Sequence, residues 1–183
     1  KCVSDIINMS ISIYMRSKMS EKLPWMRTAI ELLGTTEVPG TRSNPLIVEW
    51  AKEIGGEVAS YYTDDSIPWC ALFVGHCMHV NGIQPPKAML AALSWKNFGA
   101  KLSEPSYGCI LVFSRDGGGH VGFAVSQDAD YFHVLGGNQG DTVNIIKVAK
   151  SRLVAMRWPP YFLLPDKKLT VKTFDGKIST NEQ

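Results

Sequence analysis

The chain has 183 residues, of which 45% are hydrophobic and 20% charged, and its formal net charge is +2. This size and balance fit one globular domain with a sizeable core. The mild charge, without a run of Lys or Arg, offers no nucleic-acid groove, and no segment is apolar for long enough to span a membrane. Four cysteines are too few for a disulfide scaffold. A Cys77–Cys109 bridge is allowed by the sequence but not required by it.

The first residues carry a modest apolar run from Ile6 to Tyr14, broken by Asn8 and two serines. It is too polar for a signal-peptide core. Residues 1–22 are therefore expected to be an N-terminal extension, 23–160 a catalytic domain, and 161–183 an exposed tail packing in part through Tyr161, Phe162 and Leu163.

Pro24–Leu33 reads as a first helix, with proline at its first position and Gly34 at its end. A polar loop, Thr35 to Ser43, follows. Asn44-Pro45 is an N-cap before an N1 proline, so a second helix is expected to about Ile54, burying Leu46, Ile47, Trp50 and Ile54. Tyr61–Ser66 reads as a polar lead-in, with Ser66 as the cap of a third helix from about Pro68 to Val80. That helix is apolar over most of its circumference and is expected to be central and buried. Two short helical pieces follow, near Ala88–Leu93 and Trp95–Phe98.

From Tyr107 the pattern changes. Cys109–Phe113, His120–Ser126, Tyr131–Leu135, Thr142–Val148 and Leu153–Arg157 are short and rich in β-branched or aromatic residues, with turn residues between them. Helices first and a strand meander afterwards predict an α+β fold with a mostly antiparallel sheet of about five strands.

The chemistry centres on Cys70, in the first turn of the third helix. A thiol there meets backbone N–H groups and the positive end of the helix dipole, which favour the nucleophilic thiolate. Of the four histidines, His76 and His79 lie on the same helix, about 240° and about 180° around from Cys70, and cannot meet its sulfur. They read as packing or surface residues. His120 opens a strand after Gly117-Gly118-Gly119. It shares a face with Gly122 and Ala124, whose small side chains let a helix end approach, while Val121, Phe123 and Val125 form a core face. If Ser126 and Tyr131 flank the next turn, Gly137 falls opposite His120, His133 falls near Ala124, and Asn138 stands beside the His120 rim. A side-chain carbonyl there can orient the imidazole, as in Cys–His catalysis, with Gln139 as the alternative. No Cys or His spacing matches a zinc site, and no cofactor or metal is expected. The triple glycine lacks the Lys-Ser/Thr helix start of a phosphate loop.

The order of helix-borne Cys, strand-borne His and polar residue on the next strand resembles the compact bacterial papain-like peptidases. It is similar to the CHAP and NlpC-like cell-wall amidohydrolases, and most of all to their phage- and toxin-associated single-domain members. The motifs are Leu23-Pro24-Trp25-Met26, Glu37-Val38-Pro39-Gly40, Ser43-Asn44-Pro45, Pro68-Trp69-Cys70-Ala71-Leu72-Phe73-Val74, Gly119-His120-Val121-Gly122-Phe123, Leu135-Gly136-Gly137-Asn138-Gln139-Gly140 and Arg157-Trp158-Pro159. The resemblance implies a papain-like fold and a cysteine amidase or endopeptidase acting on peptidoglycan stem peptides. Cys70 would attack the amide, His120 would act as base and then acid, Asn138 would orient His120, and the Cys70 backbone N–H would help hold the oxyanion. Trp69, Trp95 and Tyr62 are expected as groove walls, with Gly119, Gln139 and Asp65 as further substrate contacts. It also implies action in the bacterial periplasm or cell wall, by phage lysis or delivery into a rival cell, and an immunity or inhibitor protein over the Cys70 groove. Two alternatives remain open at this point: a thiol deamidase or acyltransferase toxin acting on a protein, and a degenerate wall-binding module.

Overall fold

The structure is a computed structural model that describes residues 23–40 and 42–179. The expectations for residues 1–22, including Cys2, lie outside them. Helices come first: α1 (Pro24–Glu31), α2 (Pro45–Ile54), α3 (Gly56–Tyr61) and α4 (Cys70–His79). A 3-10 helix spans Ala92–Asn97, and then come β1 (Ala100–Lys101), β2 (Ile110–Arg115), β3 (Gly118–Gln127), β4 (Tyr131–Gly136), β5 (Asn144–Ala149) and β6 (Leu153–Trp158). The six strands form one antiparallel sheet in the order β1-β6-β2-β3-β4-β5. The fold is α+β, as the order of patterns predicts. The sixth strand, β1, is a two-residue pairing against Lys101–Ala100's partners Arg157 and Trp158, too short to leave a periodic signal.

The helix signals sit where local chemistry puts them. Asn44 caps α2 by accepting from the Leu46 N–H at 2.9 Å, with Pro45 at the first position. The buried side of α2 is Ile47, Trp50 and Ala51, whereas Leu46, expected inside, is exposed. Gly55 ends α2 at a φ of 76°, and a further short helix, α3, which the sequence pattern does not assign, starts at once. Ser66 does not cap α4. Its hydroxyl and amide bond to Asp64, and Trp69 is the N-cap, with no side-chain capping bond. The pieces expected near 88–98 merge into the single 3-10 turn, Ala92–Asn97.

Every residue of α4 from Cys70 to Met78 is buried. The helix lies between α2 and the sheet: Phe73 meets Trp50 at 6.0 Å and Phe123 of β3 at 6.1 Å. Full burial of an aromatic of this size contributes about 1.5–3 kcal/mol, so the buried face of α4 fixes its place on the sheet more firmly than any cap could. Both faces of β3 are covered, because His120, Val121, Gly122, Phe123 and Ala124 are all buried.

The segment after β6 runs back over the sheet. Tyr161 and Leu163 are 101% and 93% exposed, so of the three residues expected to pack only Phe162 does, edge-on to Trp25 at 4.8 Å. The fastening comes later. Leu169 is buried, Gln127 bonds the backbone of Thr170 and Lys172, Lys147 bonds that of Lys177 and Ser179, and Phe174 lies 4.9 Å from the ring of His133.

Candidate active site

Cys70 is the first residue of α4, and the first intrahelical bond runs from Phe73 N–H to Trp69 O. The thiol therefore sits among the first-turn amides, at the positive end of the helix dipole. It lines a depression of about 220 Å³ together with Pro68, Leu90–Leu93, Arg115, Gly118 and Gly119. The hairpin of β2 and β3 thus borders the same depression at the two residues before His120. The turn of this hairpin is only Asp116-Gly117, tighter than expected, with Gly117 at a φ of 77°.

His120 is fully buried and stacks on its cross-strand partner Phe113, with ring centroids 6.4 Å apart. Its Nε2 lies 3.0 Å from Gln139 Oε1. The Gln139 amide nitrogen faces three acceptors, Val134 O at 3.2 Å, Asn144 O at 2.7 Å and Asn144 Oδ1 at 2.9 Å. That environment fixes the amide with its oxygen toward the imidazole. Since an amide oxygen only accepts, Nε2 carries the proton in the neutral ring and Nδ1 carries the lone pair.

Gln139, not Asn138, therefore touches the histidine, which corrects the expectation from strand spacing. Two features change the geometry. The turn pairs Gln127 with Phe132, so His133 falls opposite Ser126 instead of near Ala124, and a bulge between Ala124 and Ser126 leaves the register one residue from the expected one toward His120. In addition β4 ends at Gly136, and Asn138 takes a left-handed φ of 53°, which breaks the alternation of sides. The Asn138 side chain turns the other way. Its surroundings are satisfied with the nitrogen donating to Glu37 Oε1 at 3.2 Å and the oxygen accepting from Trp69 N–H at 3.3 Å. Asn138 thus ties down the residue just before Cys70.

Two glycines make this possible. A Cβ on Gly136 would lie 2.6 Å from Gln139 Oε1 and 3.3 Å from His120 Nε2. One on Gly137 would lie 2.6 Å from the Trp69 ring and 2.7 Å from Phe73 Cβ. The close approach of helix and sheet is made through Gly137. At Gly122 the space is taken by the neighbouring strand, Val134 Cγ1 at 2.6 Å and Leu135 O at 2.9 Å, and not by a helix end.

Several expected substrate contacts are structural instead. Trp69 is fully buried and donates from Nε1 to Glu37 Oε1 at 2.6 Å. Trp95 is fully buried and donates to Met89 O at 2.8 Å. Tyr62 is buried, and its hydroxyl donates to Ile67 O just ahead of α4, with burial pushing the phenol well above its ordinary range. Asp65 is buried and accepts from the backbone of Val38 at 3.0 Å and Asn44 at 2.7 Å, holding the loop before α2. Gln139 is buried behind His120. Of the six expected contacts, Gly119 alone lines the Cys70 depression. These tryptophans could not be told from core residues in the sequence, because size and aromaticity suit both places.

Glu37 is the contributor that spacing did not reveal. It receives Trp69 Nε1–H, and its carboxyl is pushed up by burial, against the Trp69 bond and with Asp141 and Asp65 adding to the rise. The other histidines and thiols have separate roles. His76 is buried against Trp50 at 5.1 Å, and burial depresses it to about 4. His133 bridges Ser126 Oγ and Asp128 Oδ2 at 2.6 and 3.1 Å, which holds Asp128 down to about 2. Cys77 and Cys109 are free, buried thiols raised by burial. Among the described residues no group of three His, Cys, Asp or Glu side chains could hold a metal ion, and no helix is long and apolar enough to cross a membrane.

The family model of the CHAP domain matches residues 62–138, from the approach to α4 through β4 to Asn138. The match is consistent with the CHAP/NlpC-type superfamily, whose papain-like fold agrees with the α+β architecture of the chain. The match points to a peptidoglycan hydrolase or amidase. No curated protein matches the chain.

Proposed function

We propose that the protein is a thiol-dependent peptidoglycan hydrolase that cleaves an amide bond of the stem peptide. The observation that carries this reading is the shared depression at the start of α4. Cys70 opens onto it beside Gly118 and Gly119, and the next residue, His120, has its tautomer set by Gln139. In this reading His120 Nδ1 takes the thiol proton and the sulfur attacks the amide carbonyl. First-turn N–H groups of α4 stabilise the oxyanion, and the imidazolium returns the proton to the leaving amine. Water, activated by the same nitrogen, then hydrolyses the thioester. Gln139 orients the ring in place of the Asn138 first expected, and Asn138 with Glu37 steadies the peptide before the nucleophile.

Residues 23–160 would be the catalytic unit and 161–183 its tail, of which residues 161–179 form a strap across the sheet. We further propose a lytic or antibacterial role in the periplasm or cell wall, with an immunity or inhibitor protein covering the Cys70 depression. Purified sacculi incubated with wild type and with Cys70→Ala, followed by mass spectrometry of the soluble fragments, test the central claim. Wild type should release fragments whose masses identify the bond, and the variant should release none. Equal release by both proteins would remove the thiol mechanism.

A further inference from the structure

The depression at Cys70 continues into a wider one of about 550 Å³, the two sharing Pro68, Leu90 and Ala91. To the wider depression α3 contributes Glu57 and Tyr61, and the segment ahead of the 3-10 helix contributes Lys87 and Ala88. Glu57 and Lys87 are both exposed. Among the described residues neither side chain has an ion-pair partner, and the two do not close onto each other. A carboxylate and an ammonium thus line one hollow beside the thiol while staying apart.

The backbone beneath each charge is held firmly. On the Lys87 side Met89 is buried, a Cβ at Gly75 of α4 would lie 2.0 Å from its Cε, and Trp95 Nε1 donates to Met89 O at 2.8 Å. Ser94 Oγ donates to Ala88 O at 2.7 Å. On the α3 side the buried Tyr62 donates its hydroxyl to Ile67 O, and the Tyr61 ring lies 6.4 Å from that of Tyr62. Tyr61 is itself 61% exposed, which leaves an aromatic surface open in the same hollow. The frame is therefore set before a ligand arrives, and only side-chain rotamers have to order. Opposite charges kept apart on a fixed frame match a ligand that carries both an ammonium and a carboxylate. A ligand with one charge would be attracted by one group and repelled by the other.

We propose that the wide depression is a substrate subsite for the zwitterionic end of an amino acid, its ammonium meeting Glu57 and its carboxylate meeting Lys87. The inference rests on the hydrolase reading above and names the part of the substrate that lies beside the scissile amide. Stem peptides offer such an end where their diamino residue is diaminopimelate and its amine is not cross-linked. Lysine at the same place offers the ammonium alone, and acylation of the amine removes that charge.

The test uses uncross-linked disaccharide peptides containing diaminopimelate, lysine, or diaminopimelate acetylated at the side-chain amine, with wild type, Glu57→Gln and Lys87→Met. Because both groups are exposed, each contact should change KM by about fivefold. Wild type should therefore show a KM for the diaminopimelate peptide about fivefold below that for either of the others, with kcat alike, and the difference should shrink in about 0.5 M salt. Glu57→Gln should abolish the discrimination against the acetylated peptide and keep that against lysine, and Lys87→Met should do the reverse. Thermal melting shows whether each variant is folded. Equal KM for the three peptides with wild type overturns the inference while leaving the hydrolase reading intact. So does a folded variant that raises KM equally on all three, because the residue then acts only through the shape of the depression. Digestion of sacculi with none of the three peptides cut overturns it as well, since the free zwitterionic end is then not recognised. Failure to cut either sacculi or peptides brings down the hydrolase reading, and this inference with it.

Discussion

Replacing Gln139 by alanine separates the two residues that the sequence offered as partners of His120. The side chain makes four contacts: His120 Nε2 at 3.0 Å, Val134 O at 3.2 Å, Asn144 O at 2.7 Å and Asn144 Oδ1 at 2.9 Å. His120 and Gln139 are 0% and 3% exposed, so bulk water does not replace what is lost. A buried polar group left without its partner costs about 1–3 kcal/mol. Truncation would strand the imidazole N–H and at least one carbonyl, while the vacated space admits water that satisfies part of the set. The expected net loss of stability is about 2–4 kcal/mol. Freed from its acceptor, the ring would no longer be held in the Nε2–H tautomer, and turnover should fall about 10²-fold through misplacement of the base. Urea unfolding measures the first quantity, sacculus digestion by the folded fraction the second, and ¹⁵N signals of the His120 ring report the tautomer directly. Asn138→Ala should leave the ring signals as in wild type while loosening the Trp69–Cys70 peptide. If Asn138→Ala shifts the His120 tautomer and Gln139→Ala does not, the assignment of the orienting group is wrong.

Two further outcomes follow from burial. In a Cys2→Ser background, a thiol-directed probe applied to the native protein should modify Cys70, which lines the depression. It should spare Cys77 and Cys109, both 0% exposed, the first pushed well above its usual value and the second up to about 12. Comparable labelling of Cys109 would contradict the burial argument, and failure to label Cys70 would favour a degenerate, non-catalytic domain. His76 is depressed from 6.5 to about 4 by burial, with His79 adding to the effect. The unfolded chain therefore binds a proton that the folded chain refuses in this window. Stability contributed by the neutral ring should be full above about pH 6.5 and drain away as pH falls toward 4, by up to about 3 kcal/mol, with the Glu53 carboxylate 3.1 Å away working against the loss. His76→Phe should flatten the urea-derived stability between pH 7 and pH 4.5, and an unchanged slope in the variant would rule His76 out as its source.

The sequence alone carried the order of helices before strands and singled out Cys70 and His120 as the pair proposed to react, for physical reasons that are local. Asn44-Pro45 starts a helix because a side-chain oxygen satisfies an early N–H and proline fits the first position. An all-round apolar stretch from Cys70 onward has nowhere to go but the centre, and that is where α4 lies. His76 and His79 could be set aside as partners of Cys70 because helical periodicity turns them away from it. What the sequence did not carry depends on contacts between elements. A bulge after Ala124 moves the β3–β4 register, and the end of β4 at Gly136 with a left-handed Asn138 reverses which side chain meets His120. Period-two counting has no term for either event. Glu37 stands more than thirty residues before Trp69 and meets it only because α1 and its following loop fold back over the start of α4. The opening stretch, Pro68-Trp69-Cys70, was legible as a helix start bearing a thiol. That Trp69 is a buried strut and not a groove wall, and that Gly118, Gly119 and Arg115 share the depression beside Cys70, was decided by packing.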